Sequence, residues 1–189
     1  MDARPTTASH APTWKGIVAG AAGGLVAAWA MEQFQQRLSH VADDRADEAQ
    51  RSSGRPQAWD ARSQDQVSGQ SSSATENAAD AAASAMALQP LDRSTRASAA
   101  QALHYAFGIG VGAVYGALAE SDPGVTRLGG IAFGLGVWAA ADELSTALFG
   151  LAPRPTDRPP LAHTYSVLSH VVYGLTTEGV RRSTRVALG

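Results

Sequence analysis

The stretch HYAFGIGVGAVYGALAE, residues 104–120, decides the fold of this chain. Five of its residues recur every four positions and form one stripe on a helix: His104, Gly108, Gly112, Gly116 and Glu120. Glycine costs ~1 kcal/mol relative to alanine in a soluble helix. In a membrane, small residues spaced in this way let two helix backbones pack closely. The stretch therefore predicts a membrane-spanning helix with a glycine-lined packing face.

Three further apolar stretches surround it, and two of them carry similar glycines, Gly16, Gly20 and Gly24 in the first and Gly130 and Gly134 in the third. A helix needs ~20 mainly apolar residues to cross a bilayer. We predict an all-α fold, a four-helix transmembrane bundle with a long polar insert. Its parts are an N-terminal tail (1–13), transmembrane helix 1 (14–38), the insert (39–96) and a three-helix transmembrane region (97–185) with helices at 97–120, 127–151 and 161–180. An Ala/Gly-rich soluble bundle is the alternative.

The connections also carry predictions. The turn at 121–124 (SDPG) favours an antiparallel hairpin of the second and third helices. The segment 152–160 (APRPTDRPP) is too rich in proline to be helical. In the insert, we expect the first helix to continue to Gln50, residues 51–73 to be disordered, and residues 75–89 to form a helix on the membrane or on the bundle.

The composition excludes several classes of function. A net charge of −2 without a clustered basic face gives no footprint for nucleic acid. The apolar stretches make the lipid bilayer the predicted partner, and the glycine-rich faces predict a homo-oligomer. The chain has no cysteine, hence no thiolate ligand or nucleophile. No serine or threonine stands in a nucleophile motif, and no enzyme is expected.

Two questions stay open at this point. Ala28-Trp29-Ala30 after an apolar stretch imitates the cleavage site of a secretory signal, which competes with a retained first helix. Positive charges near the helix ends are equally numerous on the two sides, so the positive-inside rule does not set the orientation. The cluster Arg181, Arg182 and Arg185 after the last helix favours a cytoplasmic C-terminus.

Ionisable residues inside the apolar helices are the candidates for function, because each costs ~2.5–3.5 kcal/mol on insertion scales. We predict one intramembrane polar site formed by His104, Tyr115, Glu120, Asp142, His170, Tyr173 and Glu178.

Three interpretations of this site compete. It could serve proton-linked or small-solute passage, since histidine titrates near neutrality. It could be interhelical glue in a structural or partner-recruiting membrane protein. It could bind a metal or haem through His104 and His170, if both lie at the same depth. The sequence specifies no cofactor.

The ordered polar residues resemble those of the YagU-type bacterial inner-membrane proteins, a family of uncharacterised function. The resemblance covers residues 98–185 and rests on the following positions: His104–Phe107, Tyr115, Ala119, Glu120, Gly130, Gly134, Gly150, Leu151, His170, Glu178, Arg181 and Arg182. It implies four spans, a bacterial inner-membrane location and cytoplasmic termini, and it supplies no reaction. Where that family has a histidine this chain has Asp142, so a three-histidine ligand set is not expected.

Overall fold

The computed structural model describes residues 13–53, 76–81, 83–84, 92–149 and 160–189. Within these ranges the chain is helical apart from short turns. The four long helices are α1 (Thr13–Ser53), α2 (Arg93–Ser121), α3 (Ile131–Phe149) and α4 (Pro160–Ala187). The all-α prediction is thus confirmed for the described part of the chain. Residues 51–73, predicted to be disordered, lie mostly outside that part.

Most helix ends have a local cause. α2 begins at Arg93, earlier than predicted, because the Asp92 carboxylate accepts hydrogen bonds from the Thr95 N–H and from two hydroxyls. α3 begins later than predicted, since Gly129 and Gly130 have φ of 58° and 88°. The prediction that Pro160 is not helical was wrong. It is the first residue of α4, and the first helical turn needs no N–H from proline.

α1 is the central helix, packed against α2 on one face and α4 on another. Its contact with α2 is the glycine ladder, which pairs Gly16 with Gly116, Gly20 with Gly112 and Gly24 with Gly108 in antiparallel order. A Cβ atom added to Gly112 would lie 2.7 Å from the Gly24 Cα and would overlap the Gly20 carbonyl oxygen. The backbones therefore touch with no room for a methyl group.

The remaining interfaces also use small residues. A Cβ on Gly23 of α1 would lie 2.6 Å from the carbonyl oxygen of Thr177 in α4. Gly130 and Gly134 pack on α4 around Gly174. α3 therefore runs antiparallel to α2, as the turn predicted, but its glycines pack on α4. α3 contacts α2 through Phe133, which stacks on Tyr115, whereas the matching small-residue stripe lies on α4.

The insert contributes a short helical segment at 76–84, in which residue 82 is not described. Its Ala79 and Ala83 are buried. Its Asp80 forms an ion pair of 2.9 Å with Arg96 of α2. This segment therefore lies against the bundle, one of the two placements that the sequence left open.

The distribution of side chains is inverted relative to a soluble protein. The buried residues are mainly alanine, glycine, tyrosine and a few polar residues, with Ser169, Thr177 and Glu178 at most 2% exposed. The large apolar side chains lie on the outside: they include Ile17, Val18, Leu25, Trp29, Phe107, Val114, Leu118, Leu135, Leu168 and Leu175. Two helical stretches, Thr13–Val41 and Arg93–Ser121, are long and apolar enough to cross a membrane, and Ile131–Ala141 is apolar but shorter.

Candidate functional site

Five charged residues of α2 and α4 lie close together where both helices end and α1 begins. We call Glu120, Glu178, Arg181, Arg182 and Arg185 the arginine cluster. Arg181 donates two hydrogen bonds to Glu178, Nε to Oε2 at 2.7 Å and Nη2 to Oε1 at 3.0 Å, and Arg182 Nε donates to the same carboxylate. The Glu178 side chain is only 3% exposed and that of Arg181 10%. Burial of this pair is tolerable because the fork of the guanidinium satisfies both carboxylate oxygens.

A second ion pair ties α2 to α4. Arg185 Nε donates to Glu120 Oε1 at 2.7 Å, and its Nη2 reaches Oε2 at 3.4 Å. The Glu120 side chain also lies against Gly16 of α1, where a Cβ atom would overlap its Cγ. Lys15 Nζ donates to the carbonyl oxygens of Leu188 and Gly189, each at 2.8 Å. Charges thus hold three helices in register at this end.

Two aromatic rings form the inner wall of the arginine cluster. The Tyr115 ring, fully buried, stacks on Phe133 of α3 with centroids 4.2 Å apart. The Arg181 guanidinium carbon lies 6.0 Å from the Tyr115 ring centroid. The Tyr115 hydroxyl interacts electrostatically with Glu178 but makes no hydrogen bond of good geometry among the described residues.

Deeper in the bundle, buried hydroxyls on α4 are bound to backbone carbonyl oxygens. Tyr173 donates to Gly108 of α2 at 2.7 Å, Thr177 donates to Tyr173 at 2.8 Å, and Ser169 donates to Tyr165 at 2.9 Å. These bonds satisfy each hydroxyl as a donor and leave its lone pairs available. They form a line of hydroxyls along the buried face of α4.

The two candidate histidines lie on different helix faces. The bonds from Tyr173 to Gly108 and from Arg185 to Glu120 both join residues 65 apart, so parallel α2 and α4 share one register. That register places His104 level with Ser169, next to His170. His104 continues the glycine stripe that faces α1, whereas the His170 backbone packs on Gly134 of α3. His170 Nδ1 lies 2.8 Å from the Ser166 carbonyl oxygen, which can only accept, so this bond requires a proton on Nδ1.

The predicted site is therefore divided by the fold. Tyr115, Glu120 and Glu178 gather at the arginine cluster, Tyr173 lies further along α4, and the histidines lie beyond it. The Asp142 side chain lies outside the described residues. Within the described ranges, no three His, Asp or Glu side chains are grouped so that they could hold a metal ion.

Several polar residues that take part were not among the predicted ones. Arg181 and Arg182 follow Glu178 by three and four residues, a helical spacing from which an ion pair can be predicted. Lys15 and Arg185 gave no such signal, because their partners are far along the chain. At the opposite end, Glu32 accepts hydrogen bonds from Tyr105 at 2.6 Å and Gln101 at 3.3 Å.

The geometry of the described residues defines a class of protein. It is a bundle of helices, two of them apolar and long enough to cross a membrane, with buried ion pairs at one end. The chain belongs to the family described as "Protein of unknown function (DUF1440)", whose profile matches residues 84–179, just over half of its length. The matched part contains all of α2 and α3, and α4 as far as Gly179. No curated protein and no solved structure matches the chain.

Proposed function

We propose that this chain is a multi-pass protein of the bacterial inner membrane, of the YagU type, in which α1–α4 each cross the bilayer. The observation that carries the proposal is the inverted distribution of side chains. Only 39% of the apolar 18-residue stretch of α1 and 28% of that of α2 are buried in the bundle. In water these helices would expose many large apolar side chains along their length, and such exposed apolar surface marks an interaction site or a membrane contact. In lipid the same surface is solvated, and close packing of small residues holds the helices together.

The same observation bears on the secretory-signal alternative. Ala28, within the sequence that imitates a cleavage site, is fully buried and packs on Gly108 of α2. The ladder glycines of α1 precede it and carry the contact with α2. The proposal therefore keeps α1 in the mature protein.

Extraction and topology test the proposal. The protein should stay in the membrane pellet after a carbonate wash and should require detergent for purification. Reporter fusions after Gly124 should report the cytoplasm, and fusions within 55–70 the opposite side. The turn at Gly124 lies at the arginine cluster, whereas Ser53, the last residue of α1, and Arg93, the first of α2, lie at the other end of their helices. Release by carbonate, or the same side for both fusions, would overturn it.

The arrangement of the arginine cluster best supports a structural role. Both of its buried carboxylates are paired with arginine, and the pairs join α2 to α4 and stiffen the end of α4. Such ion pairs fix the register of helices whose association in lipid has no hydrophobic driving force. Because the ladder glycines are used inside the chain, a homo-oligomer would have to use other faces, such as those of Gly110 and Gly136, where a Cβ atom would meet nothing within 4 Å.

Proton-linked or small-solute passage is the second candidate. It is favoured by the buried Glu178, the Tyr115 hydroxyl beside it and the line of hydroxyls on α4. In proteoliposomes with an internal pH dye, passage predicts that Glu178→Gln or His170→Gln abolishes a flux that the parent protein shows, at unchanged protein level. A structural tie predicts that Glu178→Gln lowers the free energy of unfolding, and that no variant changes flux.

A further inference from the structure

A crevice of about 500 Å³ opens between α2, the following turn and α3, beside the arginine cluster. Most of its surface is apolar, and its lining includes Tyr115, Leu118, Val125, Leu128, Ala132 and Phe133. The stacked rings of Tyr115 and Phe133 contribute to its wall. An apolar crevice on the side of a membrane bundle has the chemistry that accepts an acyl chain.

Cationic groups stand at the mouth of this crevice. Arg127 lies in its lining, in the turn that leads into α3, and the structure shows no ion pair for it within the described ranges. Arg182 Nη2 reaches the Thr126 carbonyl oxygen at 3.5 Å, and its side chain is 60% exposed. Asp122, just before the turn, accepts a hydrogen bond from the Gly124 N–H at 2.7 Å and keeps its negative charge.

The charge at the mouth is therefore positive. Glu178 is shared by Arg181 and Arg182, so one of these two arginines retains a net charge. Arg127 adds a second positive charge and Asp122 offsets one, which leaves one net positive charge at the mouth. Arginine binds phosphate with its planar fork. Basic pockets between membrane helices attract anionic headgroups at the membrane surface.

We propose that this crevice binds one anionic glycerophospholipid, with its phosphate at Arg127 and Arg182 and an acyl chain along Ala132 and Phe133. The inference rests on the proposed membrane location. The occupant is a lipid and not a soluble phosphate, because the apolar part of the crevice is the larger part and opens beside helices whose outer surfaces are apolar.

The test is native mass spectrometry of the detergent-purified full chain titrated with phosphatidylglycerol or phosphatidylcholine of identical acyl chains. We expect one phosphatidylglycerol to be retained in preference to phosphatidylcholine. Arg127→Gln should weaken phosphatidylglycerol binding about fivefold, the effect of one surface arginine on an anionic lipid, and should weaken phosphatidylcholine less, because its quaternary ammonium offsets the charge of its phosphate. The control Arg93→Gln, at the opposite end of α2, should change neither.

A second pair of variants tests the acyl-chain part. Ala132→Phe fills the crevice and should weaken both lipids without altering their ratio, whereas Gly110→Phe adds the same ring in open space and should have no effect. Equal retention of the two lipids, equal effects of Arg127→Gln and Arg93→Gln, or displacement by glycerol phosphate would each overturn the lipid site. A protein that needs detergent but shows any of these results retains its proposed membrane location, so the two proposals fail separately.

Discussion

The glycine ladder and the arginine cluster hold α2 to two different neighbours by opposite means. In the ladder, α1 and α2 touch through backbone atoms, and the contact depends on the absence of side chains. In the arginine cluster, long charged side chains span the gap between α2 and α4 and fix which residues stand level. The ladder supplies proximity but would tolerate a shift by one four-residue step. The ion pair between Glu120 and Arg185 allows no such shift of α2 against α4.

The largest expected effect is at the arginine cluster. Glu178→Gln leaves Arg181 buried without its counter-charge, which should lower the free energy of unfolding by about 3–5 kcal/mol. Glu48→Gln, an exposed acid near the end of α1, is the control and should change it by less than ~0.5 kcal/mol. Unfolding of the detergent-solubilised protein by a denaturing detergent measures both. Equal effects of the two variants would show that the buried pair is not a structural tie.

The ladder should respond to a single methyl group. Gly112→Ala forces a Cβ atom against the α1 backbone and should cost about 1–3 kcal/mol, as overpacking does in a filled core. Gly110→Ala, on the same helix, meets nothing within 4 Å and should be neutral or slightly stabilising, because alanine is the better helix former. The same unfolding titration compares them. If Gly112→Ala proved as harmless as Gly110→Ala, α1 and α2 would not be packed as the structure shows.

These two regions also show how far the sequence can predict the fold. The four-residue spacing of Gly108, Gly112 and Gly116 was enough to predict a close-packed face. It could not say which helix meets that face, because α1, α3 and α4 all carry small-residue stripes. The turn at 121–124 predicted the antiparallel hairpin of α2 and α3, but it could not show that the glycines of α3 pack on α4.

The buried tyrosine hydroxyls should give a smaller effect than the arginine cluster or the glycine ladder. Tyr173→Phe removes the bond to the Gly108 carbonyl oxygen and should cost about 1 kcal/mol. Tyr115→Phe removes a buried hydroxyl that has no good hydrogen-bond geometry among the described residues, and should be neutral or stabilising. Measuring the two variants side by side checks the order. A larger loss for Tyr115→Phe would mean that its hydroxyl is essential to Glu178.

The candidate site was only partly predictable for a related reason. Helical spacing joins Glu178 to Arg181 and Arg182, so that part could be found in the sequence. The depth of His104 and His170 depends on the register of α2 against α4, and their separation onto different faces depends on which helix each stripe meets. Neither is encoded locally. The residues of the predicted single site are therefore distributed over several parts of the bundle.

The smallest effect is expected outside the spans, at the start of α2. Hydrogen bonds from the Thr95 N–H and the Ser94 and Thr95 hydroxyls lower the pKa of Asp92 from 3.8 to about 2. The folded pKa is depressed, so the contribution of this cap is complete above the unfolded pKa and is lost as the pH falls from about 4 to 2. Hydrogen exchange at the Thr95 amide, expressed relative to the rate of an unstructured amide at the same pH, should accelerate over that range. In Asp92→Asn, which can cap but does not titrate, the acceleration should be absent, and its persistence would assign it to another group.

The most direct test of the membrane-spanning bundle uses the absence of cysteine from the chain. Val114→Cys places a spin label at an outward side chain, 60% exposed, in the C-terminal half of α2. In reconstituted bilayers the label should be relaxed strongly by oxygen, which partitions into lipid, and weakly by a water-soluble nickel complex. Strong relaxation by the nickel complex and weak relaxation by oxygen would place this apolar face in water and contradict the proposed membrane-spanning fold.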